Sequence, residues 1–147
     1  MDIEYFEDLE IWKESRRLAK EIYRLTSGPK FSKDFALRDQ SHRAVVSIMS
    51  NIAEGFERSG NQEFAQFLYV AKGSCGELRS QLYVAVDQGY ISVNELEALL
   101  ILLKRLSSMI ASLINYLKRS GMKGSKYNDS KSSGKKLSVR AEELSQP

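Results

Sequence analysis

Proline is missing from most of this chain. Of its 147 residues only Pro29 and Pro147 are prolines, so residues 31–117 contain none. Because proline removes a backbone donor and clashes with the preceding turn, so long a stretch without it favours long, uninterrupted helices. Start and stop signals divide the chain into four of them. The predicted spans are roughly 7–27, 34–56, 61–87 and 92–120.

Local signals set these boundaries. A Ser-Gly-Pro sequence at 27–29 stops the first helix. Ser59 or Asn61 is placed to cap the third helix, and Ser92 with Glu95 forms a capping box for the fourth. The connections are only about three to six residues long, so helices that follow each other in sequence are expected to lie antiparallel.

The apolar residues of the third and fourth helices recur in steps of three and four. In the third helix they are Phe64, Leu68, Ala71, Cys75, Leu78, Leu82 and Ala85. In the fourth they are Leu96, Leu99, Leu103, Leu106, Ile110, Leu113 and Leu117. Such heptads bury one seam against neighbouring helices. The predicted fold is therefore all-α, an antiparallel up-down-up-down four-helix bundle.

The helices carry more apolar surface than a lone bundle needs. The first helix has two stripes, one of Leu9, Trp12, Ala19 and Tyr23 and one of Ile11, Leu18, Ile22 and Leu25. The fourth has Ile101, Leu102, Met109 and Tyr116 outside its seam. Since large exposed apolar patches mark interfaces, self-association is predicted. The alternative is a broad monomeric core with scattered surface leucines.

Positive charge is concentrated at the C-terminal end. Residues 118–147 hold eight basic and three acidic groups, a net charge of +5, which leaves 14 basic and 16 acidic groups, or −2, for residues 1–117. We predict a bundle domain over 1–119 and a disordered Gly/Ser/Lys-rich tail over 120–147. The candidate nucleic-acid contacts are Lys104, Arg105, Lys118, Arg119, Lys123, Lys126, Lys135 and Lys136.

Small and polar residues gather on the second and third helices. The candidate packing and polar network comprises Gln40, Arg43, Ser50, Asn51, Glu54, Gly55, Gly73, Gly76 and Glu77. We expect Glu54 or Glu77 to pair with Arg43, since a carboxylate beside an apolar seam needs a partner. The alternative is that these residues face water. Gly73 and Gly76 are expected where two helices approach closely, and Gly55 at a helix end or bend.

Catalysis finds no support in the residue pattern. His42 is the single histidine, so the two Glu-x-x-His pairs of a di-iron bundle are not formed, and we expect a charged or solvent-facing side chain. Cys75 has no second histidine to activate it and is predicted to be a core thiol in a reducing compartment. No cofactor, metal site or membrane span is expected, and the predicted location is the cytoplasm.

Several segments together resemble a known family. They are Phe6 to Trp12, then Asp39-Gln40 with Arg43-Ala44, then Ser47-Ile48 with Ser50 to Gly55, and Phe67 to Leu82. Over about residues 5–118 this order is similar to the four helix bundle proteins encoded in intervening sequences of 23S rRNA genes, also called S23 ribosomal proteins. The resemblance implies a ring-like homopentamer. A more distant similarity to the accessory proteins of diversity-generating retroelements implies a reverse transcriptase and nucleic acid as partners.

Two functions are left open by the sequence. The first is a ring-forming accessory protein that binds RNA or DNA. The second is an oligomeric scaffold that binds only protein and whose tail serves solubility.

Overall fold

Four α-helices make up most of the chain that the structure describes. The computed structural model describes residues 2–125, and the side chains of residues 2–120. The helices are α1 (Glu10–Thr26), α2 (Phe35–Glu57), α3 (Asn61–Asp87) and α4 (Val93–Ser125), with short 3-10 turns at Phe6–Asp8 and Phe31–Lys33. Each helix packs against the next in sequence, and α4 returns to α1. The predicted antiparallel bundle is confirmed, and α4 continues about one turn beyond its predicted end.

Side chains cap the starts of α2 and α4. The Asp34 carboxylate accepts from the amide of Leu37 at 3.1 Å. The predicted capping box of α4 is confirmed, because the amide of Ser92 donates to Glu95 at 2.9 Å and the amide of Glu95 donates to the Ser92 hydroxyl at 3.0 Å. The predicted cap of α3 is wrong. Gly60, in extended conformation, precedes the helix, and no side chain caps it.

Gly89 ends α3 in a way that only glycine does easily. Its φ is +73°, in the left-handed region. This conformation lets the amide of Gly89 donate to the carbonyl of Val86 at 3.0 Å and the amide of Tyr90 to that of Ala85 at 2.8 Å. The pattern is a Schellman motif, which satisfies the last carbonyls of a helix. The chain therefore reverses within a few residues and enters α4 antiparallel to α3.

The predicted seams of α3 and α4 form the core. All fourteen of their apolar residues are buried. On α1 only the stripe Ile11, Leu18, Ile22 and Leu25 is buried, whereas Trp12 and Ala19 are half-buried and Tyr23 is exposed. Of the extra apolar residues of α4, Ile101 is 69 % and Leu102 40 % exposed, while Met109 is buried. The excess apolar surface is thus partly outside the core, as the sequence predicts for a chain that associates.

The close approach of two helices occurs at Gly55. A Cβ added there would lie 2.6 Å from the Cβ of Phe67 and 2.9 Å from Cδ2 of Phe64, so the last turns of α2 rest directly on α3. Gly55 is buried in the last turn of α2, which agrees with its predicted place at a helix end. The prediction for Gly73 and Gly76 is wrong within the described chain, because a Cβ added at either meets no atom within 4 Å.

Candidate nucleic-acid interface

The polar residues of α2 do not form the predicted network with Arg43. Glu54 pairs with Arg58 one turn further along the same helix, at 3.2 Å, and Glu77 accepts from Gln81 at 3.3 Å. Arg43 is exposed and has no carboxylate within ion-pair distance among the described residues. The predicted pairing is therefore wrong. Each carboxylate instead has a partner one turn away on its own helix, Arg58 for Glu54 and Gln81 for Glu77.

Gln40 and Ser50 are exposed, and Asn51 is half-buried. Asn51 forms part of the polar contact that does join α2 to α3. Ser47 and Ser74 share a hydrogen bond at 3.0 Å. The amide nitrogen of Asn51 donates to the carbonyl of Ser47 at 2.8 Å and to its hydroxyl at 3.0 Å. These small neutral groups bridge the two helices at the edge of the core.

His42 lies in a small polar cluster between α1 and α2. Its ring stacks on Tyr23 with centroids 4.0 Å apart and an interplanar angle of 5°. Its Nε2 shares a hydrogen bond of 2.7 Å with the hydroxyl of Thr26. Burial, and then the nearby positive charge of Arg38, lower the pKa of His42 below its usual value. The ring is thus half-buried and favours the neutral form, which corrects the prediction of a charged or solvent-facing histidine.

Cys75 is a core thiol, as predicted. It is buried in α3, and burial raises the pKa of its thiol to about 12. A thiol of this kind is protonated at neutral pH and is a poor nucleophile. Among the residues that the structure describes, no group of three His, Cys, Asp or Glu side chains is arranged to hold a metal ion. Within the same part of the chain, no helix combines the length and apolarity needed to cross a bilayer.

The basic residues of α4 differ from those of α1 in their partners. On α1, Lys13 pairs with Glu10 at 3.5 Å, Arg17 with Glu14, and Arg24 with Glu21. These three pairs each join residues three apart on one helix, where side chains of opposite charge are neighbours. The four candidate cations of the described part of α4 are all exposed, and none has a carboxylate within ion-pair distance in residues 2–120; they are Lys104, Arg105, Lys118 and Arg119.

Lys118 has an aromatic neighbour that the sequence did not predict. Its ammonium lies 4.8 Å from the ring centroid of Tyr69 on α3 and also donates a hydrogen bond to the Tyr69 hydroxyl. Only the pairing of α3 with α4 brings the two together, since 49 residues separate them. Of the other predicted contacts, Lys126, Lys135 and Lys136 lie outside the described residues. Lys123 lies in the last turn of α4, where side chains are not described.

Comparisons with known proteins agree with this architecture. A family model described as 23S rRNA-intervening sequence protein matches residues 7–112. A solved structure of a protein of unknown function from the S23 ribosomal protein family of Bacteroides thetaiotaomicron is similar, with a TM-score of 0.65 and 21% identity. The similarity covers 71% of this chain and 97% of that one, and at this identity it shows the fold alone. No curated protein matches the chain.

Proposed function

The chain belongs to the 23S rRNA-intervening sequence protein family, and from this premise we propose that it is a non-catalytic helical bundle that binds nucleic acid. The observation that carries the proposal is the set of exposed cations on α4 without carboxylate partners. A free cation near a phosphate releases condensed counterions, which favours binding without reading sequence. We take RNA as the first ligand to test, because the family's name refers to an rRNA.

The contrast between α4 and α1 supports this choice of surface. A phosphate that approaches Arg17 or Arg24 must compete with a glutamate that already neutralises the guanidinium. A phosphate that approaches Lys104 or Arg119 meets no such competitor among the described residues. The absence of a catalytic role is supported by His42, which is packed against Tyr23, and by the protonated, buried Cys75.

Self-association is the second part of the proposal. One side of α3, which we call the α3 outer face, combines exposed aromatic and branched residues with small ones: Tyr69, Val70, Gly73, Ser80, Tyr83 and Val84. Such a face fits another copy of the chain, and repetition around a ring multiplies weak phosphate contacts through avidity. The family resemblance supports a homopentamer as the form of the ring, and the more distant similarity to retroelement accessory proteins supports a reverse transcriptase as a protein partner.

A binding assay at two salt concentrations tests the nucleic-acid function. The full chain is titrated into labelled single-stranded RNA, duplex RNA and duplex DNA at about 50 and about 200 mM salt. We expect binding that weakens with salt. Lys118→Gln with Arg119→Gln should weaken it and flatten its salt dependence. The matched control is Arg24→Gln with Arg58→Gln, which removes two charges that are already paired.

Two results would contradict this reasoning. If no nucleic acid binds at the lower salt concentration while sedimentation shows an assembly, the protein is the oligomeric scaffold that the α3 outer face favours. If binding is lost in a chain that ends at residue 125, and the α4 variant binds as the wild type does, the contacts lie in the tail and not on α4.

A further inference from the structure

A groove lies along the exposed side of α1. Its volume is about 410 Å³, and its lining residues are Glu7, Trp12, Lys13, Arg16, Arg17 and Lys20. Four of the six are cations and one is a carboxylate. Glu10, Glu14 and Glu21 alternate with the basic residues along α1, a pattern typical of a solvated helix surface. The structure shows that the cations are not equivalent.

Two of the four cations are free. Lys13 and Arg17 pair with the glutamates that precede them by three residues. Arg16 and Lys20 are exposed, and neither has a carboxylate within ion-pair distance in the described part of the chain. They are four residues apart on one side of the helix, a rise of about 6 Å. Two unneutralised charges therefore lie side by side in the same groove.

An aromatic side chain holds one of these cations. The guanidinium carbon of Arg16 lies 5.8 Å from the ring centroid of Trp12, within the range of a cation–π contact. The Trp12 ring is itself fixed by an edge contact with Phe6, with centroids 5.3 Å apart and an interplanar angle of 64°. The Trp12 ring thus orients the guanidinium of Arg16 and leaves its N–H donors available. Because the group is already ordered, less entropy is lost when it binds a ligand.

We propose that this α1 groove binds single-stranded nucleic acid. Arg16 and Lys20 each contact a phosphate, and a base stacks at the Arg16–Trp12 pair, as bases do on guanidinium planes and aromatic rings. The inference rests on the nucleic-acid-binding function proposed above and gives it a second contact surface, on α1.

The chemistry of the groove favours a single strand over other polyanions. In a duplex the bases are paired and stacked, so their faces do not reach a side chain in a surface groove, and Trp12 would contribute nothing. An acidic peptide without aromatic residues would pair with Arg16 and Lys20 but would leave the Arg16–Trp12 surface unused. An unpaired strand carries a phosphate and an aromatic plane in every nucleotide, so it uses both parts of the groove.

Trp12 supplies a reporter inside the groove, because it is the single tryptophan of the chain. A short uridine oligonucleotide is titrated into the full-length protein while tryptophan emission and the anisotropy of the labelled oligonucleotide are recorded. We expect both signals to change with the same midpoint. Duplex RNA of equal length should change the anisotropy with little change in emission. Poly-glutamate is the comparison for an acidic protein partner.

Arg16→Gln with Lys20→Gln is the decisive variant. In a plot of the logarithm of the binding constant against that of salt concentration, each phosphate contact to a single strand adds about 0.7 to the slope. Loss of two contacts should therefore lower the magnitude of the slope by about 1.4. Between about 50 and 200 mM salt, the affinity of the wild type should then fall about sevenfold more than that of the variant. The control is again Arg24→Gln with Arg58→Gln, which should keep the wild-type slope. Both substituted side chains of the decisive variant are exposed, and a circular dichroism spectrum checks that it folds.

The outcomes separate this inference from the function on which it rests. If RNA binds but Trp12 emission stays constant and the variant keeps the wild-type slope, the groove is not a binding site, while the proposed function stands. If poly-glutamate changes the emission at the same concentration as the oligonucleotide, the occupant is an acidic protein and the assignment to nucleic acid is wrong. If no nucleic acid binds at all, both proposals fail.

Discussion

The contact between α2 and α3 at Gly55 gives a quantitative test of the packing. In Gly55→Ala the new Cβ would lie 2.6 Å from the Cβ of Phe67, whereas carbon atoms pack at about 3.5–4.0 Å. The Phe67 Cβ is attached to the backbone, so side-chain rotation does not relieve the clash and the helices must separate. Overpacking of this kind costs about 1–3 kcal/mol, and alanine returns up to about 1 kcal/mol of helix propensity. With the full gain in propensity, we expect a net loss of up to about 2 kcal/mol in the free energy of unfolding.

The assay is urea unfolding followed by circular dichroism, with Gly73→Ala as the matched control. Gly73 is also inside a helix, but an added Cβ there meets no atom within 4 Å, so this variant should gain about 1 kcal/mol. If Gly55→Ala were as stable as Gly73→Ala, the close approach at Gly55 would be wrong. A loss in Gly73→Ala that shrinks on dilution, as the wild type itself dissociates, would instead indicate a contact between copies at the α3 outer face.

Three further predictions concern single side chains. Asp34→Ala removes the cap of α2 and the acceptor of the Tyr90 hydroxyl, so the free energy of unfolding should fall by about 1 kcal/mol. Asp34→Asn should keep most of the cap. Equal stability of the two variants in urea would contradict this prediction. In the folded chain, burial and Arg38 lower the pKa of His42. The neutral ring therefore contributes fully to the free energy of unfolding above the unfolded pKa of about 6.5, and this contribution is lost as pH falls through the folded pKa. His42→Gln should flatten the pH dependence of the free energy of unfolding between these two pKa values. Because burial raises the pKa of Cys75 to about 12, a thiol reagent at pH 8 should label the native chain far more slowly than the chain in urea, and equal rates would contradict its place in the core.

The fold could be predicted because its determinants are local and repeated. The fourteen buried seam positions of α3 and α4 follow from the spacing of apolar residues along each helix, and the capping box at Ser92 needs only four residues. Because the connections are short, helices that follow each other in sequence pack antiparallel. The same local character explains why helix boundaries were predicted within a few residues, including the start of α3 at Asn61, where only the expected side-chain cap is missing.

The polar contacts between helices were harder to predict, because several partners compete for each charged group. Glu54 has Arg58 one turn away, and this pair forms in place of the predicted contact with Arg43. The number of residues that separates each side chain from the connection between α2 and α3 predicts these contacts better. Ser47 lies thirteen residues before Gly60 and Ser74 thirteen residues after Asn61, so a tight antiparallel connection brings them opposite each other, as observed.

The same register explains Gly55 but leaves Gly73 and Gly76 without a role inside one copy of the chain. Each glycine in the middle of a helix costs about 1 kcal/mol relative to alanine, and nothing within the described chain uses the space that they leave. They lie on or beside a surface that also exposes Tyr69 and Tyr83. Small residues flanked by large ones allow a second helix to approach closely along such a surface. If that helix belongs to another copy, the cost within the protomer is offset in the assembly.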